Sequence, residues 1–341
     1  MIIFRCNAGP QIGFGHLVRC RALAQALKEQ GEESVMIGPD PACRCKDDFH
    51  IFSEWIPRST WKTAGEDANW LAGLAKQKYA RMLVIDDYRA DAGYQLVLKN
   101  AGLRWLQFSQ PNQNLWADFI VNTSPDANAQ EYQPYLRNPN AKLLLGPKYA
   151  ILRPEFKQAR QRPVRKEVKR ILVIFGGGDD RGATRFVLET LLPNTPEETK
   201  FLVISGKHNP RNKELLNWID SCGNNRIDLK IDPSTMAPLF AQCDLAIMGG
   251  GTTTYEGASC GLPMILIAIA NNQVRHSKAW EKIGIAFYIG TLGEAKKKYP
   301  NKIVQYLNLD KKNRSEIARN AMLIVDGQGA EKISKLLLKS L

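Results

Sequence analysis

Short, nearly uninterrupted apolar runs alternate with helix-like stretches along the whole chain, and this alternation limits the possible fold more than any motif does. In the first half the runs fall at 2–4, 34–37, 82–85, 105–108, 119–121 and 143–145; in the second they fall at 171–175, 201–204, 227–231, 245–248, 264–268 and 286–289. A sheet with one wet face would show strict apolar/polar alternation. Continuous runs are what strands need when helices cover both faces of a parallel sheet. The stretch after the first run carries a matching stripe, with Leu17, Cys20, Ala24 and Leu27 on one face and Arg19, Arg21, Gln25 and Lys28 elsewhere. Two doubly wound α/β domains are predicted, with a ligand in the cleft between them near the carboxyl ends of the strands. At 341 residues and 44% hydrophobic content the chain can supply two cores. The expected divisions are a first domain over 1–158, a basic linker over 159–170, a second domain over 171–325 and a C-terminal helix, 326–341, packing back towards the first domain. Helices are expected around 314–325 and 330–338, parted by Gly327-Gln328-Gly329.

Composition removes several classes of function. The start, MIIFRC, has neither a basic n-region nor an apolar h-region, and no run approaches the roughly 18 apolar residues that span a bilayer. A cytoplasmic chain without integral membrane association is therefore expected. Seven scattered cysteines suit reduced, structural thiols, and Cys43 and Cys45 form a lone CxC pair without a second. Neither a metal nor a cofactor is expected. The net charge of +13 is uneven: Lys157, Arg160, Arg162, Arg165, Lys166, Lys169 and Arg170 crowd into fourteen residues against Glu167 alone. This run, interrupted by Pro163, reads as a solvated connector, with attraction of an anionic substrate or an acidic membrane surface as the competing reading. No zinc-finger spacing, RNA-binding signature or interleaved aromatics accompany it, so nucleic acid is not an expected partner. A monomer is expected.

Glycine placement points to where a ligand lies. In Ile12-Gly13-Phe14-Gly15-His16-Leu17 an imidazole stands where the first apolar run hands over to a helix beginning near Leu17. Gly13 and Gly15 let the chain bend and a ligand approach, and the positive end of the helix favours a neutral histidine or a nearby anion. His16 is one of four histidines, with His50, His208 and His276, and is the leading catalytic candidate. Packing or capping at the turn is the competing reading. The loop lacks the third glycine of the dinucleotide fingerprint, and the second run ends at Gly38-Pro39 instead of an acidic ribose clamp, which disfavours NAD; no GxxxxGK[ST] occurs. In the second half, Gly176-Gly177-Gly178-Asp179-Asp180 and Gly249-Gly250-Gly251-Thr252-Thr253-Thr254-Tyr255-Glu256 each follow an apolar run and precede a helix. Backbone N–H groups at Gly177 and Gly251, with the hydroxyls of Thr252 and Thr253, suit a nucleotide diphosphate, whereas ligand-free tight turns are the plainer alternative.

Several segments together, in order, make the chain similar to a known family. They are Gln11-Ile12-Gly13-Phe14-Gly15-His16, the stretch 144–156 that contains Tyr149, the Gly250-to-Glu256 loop, Asn272-Gln273, and Asp326-Gly327-Gln328-Gly329-Ala330. The resemblance is to the PseG family, the UDP-2,4-diacetamido-2,4,6-trideoxy-β-L-altropyranose hydrolases of pseudaminic acid biosynthesis, and it covers almost the whole chain. It implies a GT-B fold of two Rossmann-like domains, like the MurG glycosyltransferases, and metal-independent hydrolysis of a UDP-sugar. By the same resemblance the residue at His16 is the general base, that at Glu256 sits on the uridine ribose, and that at Asn272 lies near the sugar. The chain departs from the family in two places: Asp86-Asp87-Tyr88 stands where Asp-His-Tyr is usual, and Asn7-Ala8-Gly9 where Asp-x-Ser is frequent.

A mechanism can be assembled from these residues. Hydrolysis at an anomeric carbon needs a water, a base for its proton and a stabilised departing diphosphate. His16 is the expected base, Tyr88 is placed either to orient the water or a sugar hydroxyl or as an ordinary half-buried tyrosine, and Asp86 and Asp87 either polarise His16, hold an amide or cap a loop. His276 faces the same cleft or lies on a helix surface. A GT-B glycosyltransferase and a non-catalytic sugar-nucleotide binding protein are the rival readings. The first would show an exposed apolar patch for its acceptor, and none is evident over 40–63.

Overall fold

The computed structural model describes residues 1–9, 12–159, 164–298 and 300–341. They form two compact units, Met1–Arg153 with Gln328–Leu341, and Pro154–Gly327. The first unit is built on β1 (Ile2–Cys6), β2 (Ser34–Gly38), β3 (Glu54–Pro57), β4 (Met82–Asp86), β5 (Trp105–Phe108), β6 (Phe119–Asn122) and β7 (Lys142–Leu145). Their order is β3-β2-β1-β4-β5-β6-β7, with every pair parallel. The second unit contains β8 (Arg170–Ile174), β9 (Lys200–Ser205), β10 (Ile227–Ile231), β11 (Leu245–Met248), β12 (Met264–Ala268) and β13 (Ala286–Thr291), parallel in the order β10-β9-β8-β11-β12-β13.

Each apolar run became a strand, most of them because both faces of the sheet are covered there; β10 at the edge, IDLKI, alternates instead and leaves Asp228, Lys230 and Ile231 exposed. In β1, Ile2 and Phe4 point into one core with the Gly15–Lys28 helix, while Ile3 points into the other with Leu71 and Leu98. Side chains alternate across a strand, so only a doubly covered strand needs apolar residues at successive positions. Each large aliphatic side chain so buried contributes roughly 1.5–3 kcal/mol. The strand that the pattern missed, β3, has no fully buried residue, and it stands at the sheet edge with Pro57 at its end. The C-terminal helix Gly329–Leu338 lays Ile333 and Leu337 into the core of the first unit, and Gln30 Nε2 donates to Ser334 Oγ at 2.5 Å.

Strand order positions the sites. The neighbours β1 and β4 send their connections to opposite sides of the sheet, which opens a crevice beyond their carboxyl ends, and β8 and β11 do the same in the second unit. His16 and Asp86 follow or end the first pair; the two glycine clusters follow the second.

Charged residues off the apolar runs find specific partners. Arg160 and Arg162 lie outside the described residues; Lys157, Arg165, Lys166 and Lys169 are exposed, in keeping with a solvated connector, and the run is also anchored to the second unit. Asp244 accepts from Arg165 Nη1 at 3.1 Å and from the backbone N–H groups of Lys169 and Arg170, and Arg314 donates to the Arg165 and Lys166 carbonyls. The arginines of the Gly15–Lys28 helix, off its apolar stripe, are half-buried: Arg21 reaches the buried Asp48 at 2.6 and 2.7 Å, and Arg19 reaches Asp86. Buried carboxylates near a helix outweigh hydration of its charged face.

β1 also carries a charge through the core. Arg5, fully buried, donates to Asp67 at 2.9 Å and to the Cys6 carbonyl at 3.0 Å, while Tyr94 and Arg58 complete the shell of Asp67. Gly38, at φ +124°, closes this cage: a Cβ there would stand 1.9 Å from the Cys6 carbonyl oxygen and 2.3 Å from Arg5 Nη1. Gly38→Ala is therefore expected to destabilise the first unit by about 2–4 kcal/mol, read as an earlier urea transition; an unchanged transition would contradict the cage.

Candidate active site

The site of the first unit is built around Asp86, the last residue of β4, which is 1% exposed. A buried carboxylate is costly unless paired and hydrogen-bonded. Arg19 answers it with both arms of its guanidinium, Nε to Oδ2 at 2.5 Å and Nη2 to Oδ1, and Cys20 Sγ approaches Oδ2 at 3.7 Å. His16 Nδ1 lies 2.7 Å from Oδ1. Although burial opposes charge on the carboxyl, the adjacent Arg19 guanidinium outweighs it, followed by the hydrogen bonds from Arg19 and His16, and Asp86 is held down to about 2 from its ordinary 3.8. An ionised carboxylate can only accept, so the proton between it and His16 belongs to Nδ1. Arg19 Nη2, which gives one of its two protons to Oδ1, also stands 3.0 Å from Nδ1. The lone pair of His16 is thus left on Nε2. Desolvation and Asp86 together push the Cys20 thiol up, as does the neighbouring Cys6, which keeps it protonated.

Local sequence explains the arrangement. His16 is the second residue of the Gly15–Lys28 helix, which starts two residues earlier than the Leu17 expected from the pattern, and Gly13 turns at φ +92° just before it. Among the described residues no side chain caps this helix, so the capping reading of His16 is replaced by its bond to Asp86. Spacing of three along a helix puts His16 and Arg19 on one face. Tyr88 is 76% exposed, not half-buried, and meets the His16 ring edge-on with centroids 4.6 Å apart. Asp87 turns away: it binds Arg89 at 2.7 and 2.9 Å and caps its own loop. Tyr149 packs on the core of the first unit beneath Lys148. Over 40–63, Phe49 is the large exposed apolar side chain among the described residues, and Arg44 lies 3.7 Å above its ring, so no open patch forms there.

In the second unit, Gly177 lies in the loop after β8, and Gly251 and Thr252 lead into the Thr253–Ser259 helix. Thr252 is exposed and Thr253 half-buried, whereas Glu256 is buried on the first turn. Thr254 turns inward, its hydroxyl donating to the Gly251 carbonyl at 2.7 Å. Asn272 opens the Asn272–Lys282 helix and is exposed. Gln273 instead serves as a brace, its Oε1 accepting from the Ile269 N–H at 3.0 Å. His276 is neither a free cleft residue nor a plain surface one: Nδ1 donates to the Gly250 carbonyl and Nε2 accepts from the Tyr255 hydroxyl, both at 2.9 Å. Gly250 is a glycine for packing, since a Cβ would stand 2.0 Å from Ser277 Oγ.

No family model matches the chain. Among related sequences, the uncharacterized protein MJ1062 of Methanocaldococcus jannaschii is 26% identical over 265 residues, 75% of this chain and 53% of that protein. The spore coat polysaccharide biosynthesis protein SpsG of Bacillus subtilis is 23% identical over 349 residues, 97% of this chain and 96% of that one. The UDP-2,4-diacetamido-2,4,6-trideoxy-beta-L-altropyranose hydrolase of Campylobacter jejuni is 24% identical over 274 residues, covering 80% and 93%. The match thus spans about half the archaeal relative and nearly all of the two bacterial ones. Among solved structures, MurG of Acinetobacter baumannii aligns with a TM-score of 0.66 at 15% identity over 99% of both chains. HepE of Anabaena, in complex with UDP-glucose, aligns at 0.61 and 16% identity over 100% of both. The chain has a GT-B fold. The resemblance read from its motifs is matched by the hydrolase among its relatives. Among the described residues of this GT-B chain, no helix is long and apolar enough to cross a membrane, and no three His, Cys, Asp or Glu side chains are gathered to hold a metal.

Because the folded state holds Asp86 near 2 against an ordinary 3.8, the stabilisation it supplies is complete above about pH 4 and is lost as pH falls towards 2. The stability difference between the parent chain and Asp86→Asn should be flat from pH 8 to about 5 and shrink between about 4 and 2, measured by urea unfolding. A difference that already shrinks near neutrality would contradict the pairing.

Proposed function

We propose that the chain hydrolyses a UDP-linked 2,4-diacetamido-2,4,6-trideoxyhexose at the anomeric carbon, releasing UDP and the free sugar, in the biosynthesis of a pseudaminic-type nonulosonic acid. The observation that carries this reading is the relay Arg19–Asp86–His16 at the switch point of the first sheet. The similarity to the Campylobacter jejuni hydrolase and the UDP-glucose bound by HepE support the substrate class.

Arg19 keeps Asp86 ionised, Asp86 accepts the hydrogen bond of Nδ1–H, and the basic nitrogen of His16 is therefore Nε2. As the water oxygen bonds to C1, its proton passes to Nε2, and the C1–O bond breaks with its electron pair leaving on UDP. Tyr88, edge-on to the imidazole and exposed, orients the water or a sugar hydroxyl. In the second unit the N–H groups of Gly177 and Gly251 with the hydroxyls of Thr252 and Thr253 hold the diphosphate, Glu256 accepts from the ribose, and Asn272 donates and accepts towards the sugar. Gln273 and His276 brace that loop from behind. The chain acts without a metal or other cofactor, and turnover is expected to persist in excess EDTA.

His16→Asn should fold and bind UDP normally while turnover falls by roughly 10²–10⁴-fold, measured as UDP release with water the sole acceptor. Near-normal turnover would move the base elsewhere, and UDP release that depends on an added acceptor would favour the transferase. Glu256→Ala should weaken UDP binding by roughly 10- to 100-fold in calorimetric titration, the range for a charge-assisted hydrogen bond; unchanged affinity would remove the ribose role.

A further inference from the structure

Beside the relay lies a cavity of about 340 Å³, of whose lining the mechanism above uses only Tyr88. One wall is the turn after β4, with Asp87, Tyr88 and Ala90; the other is the segment after β5, with Ser109, Gln110, Asn112 and Gln113. Two aromatic rings tie the cavity to the relay: Tyr88 meets the His16 imidazole, and Phe108, which also lines the cavity, lies 4.5 Å beneath the Arg19 guanidinium. At the lower end of the roughly 300–1,000 Å³ typical of ligand pockets, it admits one substituted sugar ring but not a sugar with its nucleotide.

The chemistry of the lining is selective. Asp87 is its only ionised side chain, and Arg89 neutralises it with two bonds at 2.7 and 2.9 Å, so the cavity offers no net charge to an anion or a cation. What it offers instead are carboxamides. Gln107 is used up inside the protein, bound to Trp105 Nε1 and the Ala90 carbonyl. Gln113 donates from Nε2 to the same carbonyl at 3.3 Å, which fixes its orientation and leaves Oε1 as an acceptor. The amides of Gln110 and Asn112 bond to nothing else among the described residues. A carboxamide presents one donor and one acceptor side by side, the complement of the N–H and C=O of a secondary amide. Tyr88 and Phe108 add apolar surface for an acyl methyl group, which a sugar bearing only hydroxyls would leave unfilled.

We infer that this cavity binds the acylamido substituents of a neutral N-acylated amino sugar, and that Gln110, Asn112 and Gln113 determine that specificity. The inference rests on the reading of His16 as the base, because it places the sugar beside that residue. It gives a reason why a hydrolase of this kind would distinguish a diacetamido sugar from a plain hexose: a site built of amides leaves them unpaired when the acyl groups are missing.

The test separates this inference from the proposed reaction by using probes that cannot be hydrolysed as nucleotide sugars. The full chain, labelled with ¹⁵N, is titrated with the methyl glycoside of a 2,4-diacetamido-2,4,6-trideoxyhexose and with that of a 6-deoxyhexose. The side-chain NH₂ signals of Gln110, Asn112 and Gln113 are assigned from single variants. The diacetamido glycoside should shift these signals at a concentration at least about tenfold below that needed by the 6-deoxyhexoside. Gln110→Ala with Asn112→Ala should weaken its binding by about 5- to 30-fold, with an unchanged melting temperature as the folding control. Equal binding of both glycosides, or binding that leaves the three amides unperturbed, would overturn the assignment. Selective binding without any UDP release from the UDP-linked sugar would overturn the hydrolase reading alone. Hydrolysis with an unaltered kcat/KM in the double variant would overturn the cavity alone.

Discussion

The pairing of one buried carboxylate organises the first unit. Asp86 ends a fully buried strand, and without compensation its charge would be expelled by protonation or by unfolding. Arg19 supplies the counter-charge in a two-pronged geometry that also fixes the rotation of the Gly15–Lys28 helix about its axis. Once the helix is so turned, His16, one turn earlier, spends its Nδ1 proton on Asp86, which leaves Nε2 as the outward ring nitrogen. The exposed ring of Tyr88 and the amide-lined cavity follow from where β4 and β5 end. What looks like a set of catalytic residues is therefore the outcome of satisfying a single charge.

The second unit solves a different problem with the same topology. Its loop after β11 must be open on one side and firm on the other. Firmness comes from the Asn272–Lys282 helix, which presses Ser277 against Gly250, holds the Gly250 carbonyl through His276 and braces the strand end through Gln273. The His276 ring joins three segments, bonding to the Gly250 carbonyl and to the Tyr255 hydroxyl. The backbone of Gly251 and the exposed Thr252 are left on the other side of this support.

The architecture was legible because double coverage of parallel strands writes itself as continuous apolar runs, and all twelve runs became strands. The edge strand β3 was not, since Glu54–Pro57 buries too little to leave a run. His16 was legible from its glycines and its place at a strand-helix junction. Arg19 was hidden by the same helical periodicity that revealed the helix: a charged residue off the apolar stripe reads as solvated unless a buried acid on another strand is known to face it. Arg5 was hidden likewise inside an apolar strand, its partner Asp67 being 62 residues away. The roles of glycines separated only in three dimensions, where Gly38 and Gly250 proved to be demanded by neighbouring atoms and not by a phosphate. The spacing of His16 and Arg19, read against the acid at the end of the third run, was the one available signal for the relay.

The central claim is that water, activated by a histidine oriented by Asp86, attacks the sugar carbon and not the phosphorus. Turnover of a UDP-linked diacetamido-trideoxyhexose in ¹⁸O-enriched water, with the released UDP read by the isotope shift of its ³¹P signals, tests this directly. The account predicts UDP free of label, because the C1–O bond is the one that breaks. Label in the β-phosphate of UDP would mean attack at phosphorus, and the relay would then have to be assigned another task.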